Sequence, residues 1–211
     1  MADGYLESMY DEIFGNKGKK VVVKRVSIDS LLERNRSVRG YNKNVVVTTE
    51  MLEKIVAVNT KIPSARNQQV LRFRLVTRHT GAEKVLKNVK MGSALPEWHL
   101  PLPNTEPEAF IVICSVIPES KLVDIDLGIS AQSMLLKAVD MGLNGLIIGA
   151  FHKENLQKEL ALPYEPLLVI AIGASAETIR LVEIHQGESH TYYRENGIHY
   201  VPKVNIKELM C

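Results

Sequence analysis

The sequence is poor in cysteine and has no long apolar run. Only two of its 211 residues are cysteines, Cys114 and Cys211, and neither lies in a CxxC pair or a Cys/His spacing typical of metal ligands. This usage favours a reducing, cytoplasmic compartment. No stretch reaches the ~18 apolar residues of a membrane span, and residues 1–20 carry acids where a signal peptide needs basic residues and an apolar core. We therefore expect a cytoplasmic protein with no membrane contact and no metal ion.

An excess of charge is also absent. The chain has 26 Lys and Arg against 24 Asp and Glu, a net charge of +2 at neutral pH. This balance gives no bulk electrostatic argument for nucleic-acid binding, so we expect no nucleic-acid partner and any basic site must be local. With 45% hydrophobic residues, a chain of this length predicts one globular domain that buries roughly 70% of its unfolded surface without a disulfide or metal.

Hydrophobic periodicity predicts the order of the elements. Helices are expected at 1–20 (a packing arm), 28–33, 50–59 and 124–141, strands at 70–76, 109–117, 143–151 and 167–172, a proline-rich loop at 91–107, and an alternating ribbon at 180–202. The ribbon contains Asn196-Gly197, a pair that suits a type I′ hairpin. Because helices and strands do not alternate strictly, the order predicts an α+β layered fold rather than a doubly wound sheet.

Several common catalytic motifs are missing. The sequence has no GxxxxGK[ST] loop, HExxH, GxSxG or GxGxxG. Gly142, Gly145 and Gly149 follow a predicted helix and enter a strand, the reverse of a dinucleotide fingerprint. The ribbon histidines 185, 190 and 199 lack the spacing of metal ligands, so we interpret them as exposed side chains.

Two polar segments are candidate binding sites. Arg34, Arg36 and Arg39 surround Ser37 at a helix end, and such guanidinium and hydroxyl groups suit a phosphate or a carbonyl-rich ring edge. Residues 63–69 (PSARNQQ) supply amides and hydroxyls before an apolar strand, as a heteroaromatic ligand needs. A solvated surface and a plain loop are the alternative interpretations of these two segments.

Five pieces of sequence follow one another along the chain: residues 35–41 (NRSVRGY), 63–69 (PSARNQQ), 128–132 (GISAQ), 135–145 (LLKAVDMGLNG) and 148–151 (IGAF). In content and order they resemble the FMN-dependent nitroreductase family. Each piece alone is modest, but together and in this order they indicate the family, and the resemblance extends from about residue 28 to residue 173.

The resemblance implies a fold and an assembly. The expected fold is α+β, a three-layer α/β/α nitroreductase-like sandwich with a mostly antiparallel central sheet, here with an added C-terminal ribbon. The expected division is an N-terminal extension, 1–24, and a single FMN-binding domain, 25–211. The family also implies a homodimer with one FMN in each of two clefts at the interface, and the 124–141 helix supports it because it has more hydrophobic positions than one face needs.

The resemblance further implies which residues bind FMN. The expected set is Asn35, Arg36, Ser37, Arg39, Ser64, Asn67, Gln69, Ile147, Ile148, Gly149 and Lys203. Arg36, Ser37 and Lys203 would hold the phosphate and ribityl end, and residues 64–69 would approach the partner's flavin. Arg39 would reach the pyrimidine edge, where a cation near N1 and the C2 carbonyl tunes the flavin electrostatically.

The implied activity is electron transfer from NADH or NADPH to FMN and then to a nitroaromatic, quinone or similar conjugated acceptor, by a ping-pong mechanism with no catalytic side chain. Two departures from the family pattern leave alternatives open. Asn35 and Val204 stand where the family often has basic residues, so Arg34 or Arg194 would have to supply a phosphate contact. The alternatives are an FMN reservoir or sensor without rapid turnover, and a flavin-free relative.

Overall fold

The computed structural model describes residues 26–92, 98 and 100–211, so the helix expected at 1–20 and the 1–24 extension lie outside the described residues. The described helices are α1 (Ile28–Arg34), α2 (Thr49–Val56), α3 (Ala82–Leu86), α4 (Lys121–Asp140) and α5 (Lys153–Glu159). The strands are β1 (Leu71–Val76), β2 (Ala109–Ser115), β3 (Asn144–Ile148), β4 (Glu165–Gly173), β5 (Thr178–Ile184), β6 (Tyr193–Glu195) and β7 (Ile198–Val204).

The central sheet has the order β1-β2-β4-β3, and each neighbouring pair is antiparallel. One face packs against α2 and α4, and the other against α3 and α5. This arrangement confirms the predicted three-layer α/β/α sandwich. Every residue of β2 is buried, as expected of a central strand covered on both faces.

Helix α4 is the main support of one layer. Ser120 is the N-cap residue of this helix, since its Oγ accepts a hydrogen bond from the Val123 N–H. The helix starts three residues before the predicted position and ends at Asp140. Gly142 then adopts φ = 79°, a left-handed conformation that glycine reaches without strain, and the chain turns into β3.

Some predicted boundaries are wrong. Helix α2 stops at Val56 and continues only as a 3-10 turn, Ala57–Thr60, and β3 covers five residues rather than the nine predicted at 143–151. The short helices α3 and α5 were not predicted, because one or two turns contain too few apolar positions to show a helical period.

The C-terminal ribbon forms a second, three-stranded sheet with the order β5-β7-β6. The predicted hairpin is confirmed: β6 and β7 are antiparallel and joined by Asn196 and Gly197, whose φ angles are 50° and 77°. Strand β5 pairs with β7 in parallel.

Among the described residues, none of the helices combines the length and apolarity that a membrane crossing requires.

Candidate functional site

The segment between α1 and Arg39 lies against β3. The Val38 N–H donates to the Gly145 carbonyl at 3.0 Å, and Ser37 pairs with Gly145 as a parallel bridge. A side chain at position 145 cannot fit, because a Cβ there would lie 2.5 Å from the Ala171 carbonyl oxygen. The predicted phosphate-binding segment therefore extends the central sheet beyond its β3 edge.

Asn144 fixes this segment from the first position of β3. Its Oδ1 accepts a hydrogen bond from the Arg36 N–H at 3.2 Å, and its Nδ2 donates to the Arg34 carbonyl at 2.7 Å. Sequence reasoning did not identify Asn144 as a site residue. The signal that could have done so is an amide side chain at the start of an otherwise apolar strand.

Arg36 and Ser37 lie side by side on this edge. Arg36 is half-buried, its Nη2 donates to the Leu32 carbonyl at 2.7 Å, and its burial lowers the guanidinium pKa. Its Nε is buried without a hydrogen-bond partner among the described residues. Ser37 is exposed, while Asn35 ends α1 by donating its N–H to the Leu31 carbonyl. The edge therefore offers a cation and a hydroxyl to an external anion.

The end of β3 supplies an open apolar surface two residues beyond Gly145. Ile147 is 43% exposed, whereas Ile148 is buried in the core. A Cβ at Gly149 would meet nothing within 4 Å. Nearby, the Lys90 N–H donates to the Ala150 carbonyl at 2.8 Å, which holds the exposed Lys90 beside the end of β3. Sequence reasoning did not identify this lysine.

Arg39 points toward the C-terminal ribbon. Its guanidinium carbon lies 4.7 Å from the centre of the Tyr192 ring, and its Nη2 donates to the Tyr192 hydroxyl at 3.3 Å. Its Nη1 donates to the Ser37 carbonyl, and its backbone N–H donates to Glu177 Oε2 at 2.6 Å. Arg39 therefore joins the 35–39 segment to the ribbon.

Residues 64–69 form a tight loop in an uncommon backbone conformation. Ser64 Oγ accepts from the Gln69 N–H at 3.2 Å, and the Gln69 amide donates to Asn67 Oδ1 at 3.1 Å. Arg66, Asn67 and Gln69 have φ angles of 52°, 54° and 49°. Three left-handed non-glycine residues in four positions cost free energy, and such conformations cluster at functional sites.

Helix α4 holds this loop in place. Asp126 is only 4% exposed, and its Oδ1 accepts a hydrogen bond from the Ala65 N–H at 2.7 Å. Four residues later on the helix, Ser130 Oγ donates to Asn59 Oδ1 at 2.5 Å. Sequence reasoning also missed Asp126, although an acid at a buried helical position is a signal that could have revealed it.

The structure gathers the predicted residues into two separate groups. Asn35, Arg36, Ser37, Ile147, Ile148 and Gly149 come together on the β3 edge, whereas Ser64, Asn67 and Gln69 lie beside a groove of about 680 Å³ between α4 and β1. Within the described parts of the chain no hydrogen bond joins the two groups. The chain therefore presents these residues on two partial surfaces.

The remaining candidate cations lie elsewhere. Lys203 is exposed on β7, in register with Glu183 of β5. Arg194 forms an ion pair with Glu177 inside the ribbon, and Arg34 Nε donates to the Ser30 carbonyl of its own helix. Their proposed contacts with a phosphate remain predictions.

The interpretation of the ribbon histidines as exposed is right for two of them and wrong for the third. His185 and His190 are exposed, but His199 is only 2% exposed. Burial, followed by the charge of Arg194, lowers the pKa of His199. The alternation of β7 turns this side chain inward, where the ribbon covers Arg39 and Glu177.

In the described part of the chain no group of three His, Cys, Asp or Glu is placed to hold a metal ion.

Comparisons with known proteins agree with this geometry. The family model described as the nitroreductase family matches residues 118–174, which run through α4, β3, α5 and β4. No curated protein matches the chain in sequence.

Among solved structures, an FMN-dependent nitroreductase from Clostridium difficile R20291 is 25% identical, with a TM-score of 0.56, and the match covers 70% of this chain and 87% of that one. A candidate NAD(P)H:FMN oxidoreductase from Staphylococcus epidermidis ATCC 12228 is 22% identical, with a TM-score of 0.59 and coverage of 76% and 92%. A candidate nitroreductase from Exiguobacterium sibiricum 255-15, solved in complex with FMN, is 19% identical, with a TM-score of 0.58 and coverage of 72% and 90%.

These likenesses confirm the fold and agree with the resemblance that the sequence motifs indicated. Over residues 118–174 and in its fold, the chain is therefore similar to proteins of the nitroreductase family.

Proposed function

We propose that the chain is an FMN-dependent oxidoreductase that takes electrons from NADH or NADPH and passes them to a nitroaromatic, quinone or similar conjugated acceptor. The observation that carries this proposal is the contact between residues 35–39 and β3, which sets a cation and a hydroxyl beside an open apolar surface. The match at 118–174 and the neighbours named as FMN proteins support it.

The donor set fits FMN. A phosphate oxygen would satisfy the buried Arg36 Nε, which lacks a partner among the described residues, and the Ser37 hydroxyl would add a second donor. The empty space at Gly149 and the exposed Ile147 side chain leave room for a flat ring along the end of β3. Lys203 and Asn35 remain in the proposed set as further contacts to the phosphate end.

FMN, when bound, would supply the hydride and electron chemistry. The residues of this chain would bind and orient it, and no side chain of the proposed set is placed as a general acid or base. Arg39 would add positive charge at the pyrimidine edge, where the ring gains negative charge on reduction. Ser64, Asn67 and Gln69 would line the ring or its ribityl chain from the other subunit.

A homodimer would unite the two partial surfaces. Helix α4 buries one face in the core, yet its outer side carries an apolar stripe at spacings of three, four and seven residues: Leu122, Ile125, Ile129 and Leu136. Leu122 is 40% exposed and Ile125 is 47% exposed. A second copy of the chain packed on this stripe would bury it, and helix α4 also holds the 64–69 loop through Asp126.

The proposal is tested by measuring FMN binding and reduction. The purified protein should bind FMN and turn yellow, and the colour should bleach on anaerobic addition of NADH or NADPH. The Arg36→Gln variant should weaken FMN binding about 10- to 100-fold, as expected for loss of a charge-assisted hydrogen bond. Arg180→Gln, at an exposed position of β5 outside the proposed set, is the matched control and should bind FMN like the unmodified chain.

Other outcomes would identify the alternatives. If the protein binds FMN but neither nucleotide bleaches it, a flavin reservoir or sensor replaces the reductase. If the protein stays colourless after incubation with FMN, the β3 edge does not form a flavin site. The chain is then a flavin-free relative of the flavoproteins that it resembles. Equal FMN affinity for Arg36→Gln and the unmodified chain would remove Arg36 from the site.

A further inference from the structure

A second cavity lies between Arg39, the 100–105 loop and the C-terminal ribbon. Its volume is about 260 Å³. Of the proposed flavin-binding residues only Arg39 lines it, and neither the end of β3 nor the 64–69 loop contributes to its wall. The cavity is therefore distinct from both flavin surfaces described above.

Unpartnered polar groups surround this cavity. His199 lines it, is only 2% exposed, and has no hydrogen-bond partner at either ring nitrogen among the described residues. The Nε atoms of Arg39 and Arg194, on the same wall, are also buried without a partner. Buried polar groups are almost always hydrogen-bonded, so four such atoms on residues that line one cavity make it a candidate site for a polar ligand that supplies their partners.

The charges on the wall favour one negative charge in the ligand. Arg194 pairs with Glu177, whereas the Arg39 guanidinium has no carboxylate partner among the described residues and donates to the Ser37 carbonyl and the Tyr192 hydroxyl. Glu195 also lines the cavity but is exposed, so the inner part of the wall keeps one net positive charge. Burial and the neighbouring Arg194 lower the pKa of His199, so its imidazole is neutral at neutral pH and offers one donor and one acceptor.

The rest of the wall is apolar. Trp98, Leu100 and Leu102 line the cavity, and the Arg194 guanidinium carbon lies 5.6 Å from the centre of the Trp98 ring. A cavity of about 150 Å³ accommodates benzene, so a volume of about 260 Å³ leaves room for an aromatic ring with a polar substituent. It falls below the usual range of about 300–1,000 Å³ for sites of drug-sized ligands, which makes a whole nucleotide an unsuitable occupant.

We propose that this cavity binds a small organic acid whose carboxylate contacts His199 and the two arginines and whose apolar body packs against Trp98, Leu100 and Leu102. The site goes beyond the proposed flavin chemistry and does not require it. Arg39 connects this cavity to the 35–39 segment, so the acid would occupy a position adjacent to the proposed cofactor.

The chain provides its own reporter for this site. Trp98 is its single tryptophan, so the intrinsic fluorescence at tryptophan wavelengths comes from the cavity wall. Titration of the protein with benzoate, with and without FMN, should give a saturable fluorescence change. Benzamide, which has the same shape but no charge, should bind at least about tenfold more weakly, since the charged hydrogen bonds are lost.

Two variants test the role of the histidine. His199→Phe should weaken benzoate binding at least about tenfold, because it removes the buried polar group and fills part of the cavity. His190→Ala, an exposed histidine of the ribbon, is the matched control and should bind benzoate like the unmodified chain. Thermal unfolding establishes whether each variant is folded. If His199→Phe does not fold, the comparison of benzoate with benzamide on the unmodified chain tests the proposal instead.

Three results would overturn the proposal: no saturable fluorescence change, equal affinity for benzoate and benzamide, or competitive displacement of benzoate by FMN, which would assign the cavity to the flavin. Failure of this site is distinguishable from failure of the proposed function. A protein that binds benzoate but stays colourless with FMN retains the acid site, and one that binds FMN but not benzoate retains only the flavin site.

Discussion

The Asn144 side chain accepts a hydrogen bond from the backbone N–H of Arg36, across 108 positions of sequence. Its Nδ2 donates to the Arg34 carbonyl, so one buried amide satisfies two backbone groups of the segment 34–36. The direction and spacing of this segment on the β3 edge therefore depend on a residue outside it.

Replacing Asn144 by alanine should lower both stability and FMN affinity. The loss of the three hydrogen bonds that this side chain makes, with Arg34, Arg36 and Gly145, should reduce the free energy of unfolding by about 2 kcal/mol and the melting temperature by about 4–8 °C. Thermal unfolding and FMN titration measure the two effects. Asn44→Ala, at an exposed position, is the control and should change neither. Unchanged FMN binding in a destabilised Asn144→Ala protein would show that the amide supports only the fold.

The two cysteines should differ sharply in reactivity. Cys114 is 3% exposed in β2, and burial raises its pKa to about 11, so the thiol stays protonated at pH 8. Cys211 is exposed. A thiol reagent such as DTNB at pH 8 should modify one equivalent rapidly in the folded protein and two in denaturant. The Cys211→Ser variant should show no rapid reaction, and a rapid reaction there would mean that β2 is accessible.

The central elements were predictable because their signals are local. The unbroken apolar run of β2 and the helical spacing of α4 each result from burial against a neighbouring layer, and both appear directly in the sequence. The turn at Asn196-Gly197 was predictable for the same reason, since its two residues select the hairpin type. Short helices such as α3 bury too few residues to reveal a period.

The contacts that build the candidate site were less predictable. Motif resemblance identified the 35–39 and 64–69 segments but not Asn144 or Asp126, which position them from 61 or more residues away. The burial of His199 depends on the parallel pairing of β5 with β7, and ribbon periodicity alone does not determine which side faces the domain. Long-range packing decides these features, and no local pattern encodes them.

Removing the Asp126 side chain should release the 64–69 loop. Its Oδ1 is the acceptor for the Ala65 N–H, so Asp126→Ala should reduce the free energy of unfolding by about 1–3 kcal/mol and weaken FMN binding. Asp126→Asn keeps an Oδ1 acceptor and should recover most of both losses. Asp124→Ala, exposed on the same helix, should cost under about 1 kcal/mol and leave FMN affinity unchanged. If Asp126→Ala retained full FMN affinity, the 64–69 loop would not be part of the cofactor site.

The apolar stripe on α4 should mediate dimerisation, and Ile125 tests this because its side chain is 47% exposed at the middle of the stripe. Ile125→Arg places a charge in the proposed interface, where desolvation without a partner is costly, so light scattering should show a monomer at micromolar concentration. Glu154→Arg, an exposed substitution on the opposite layer, should remain dimeric. Because the 64–69 loop would act on the partner's cofactor, the Ile125→Arg monomer should also lose FMN. A monomeric unmodified protein that retains FMN would contradict the shared site, since one protomer would then hold the cofactor alone.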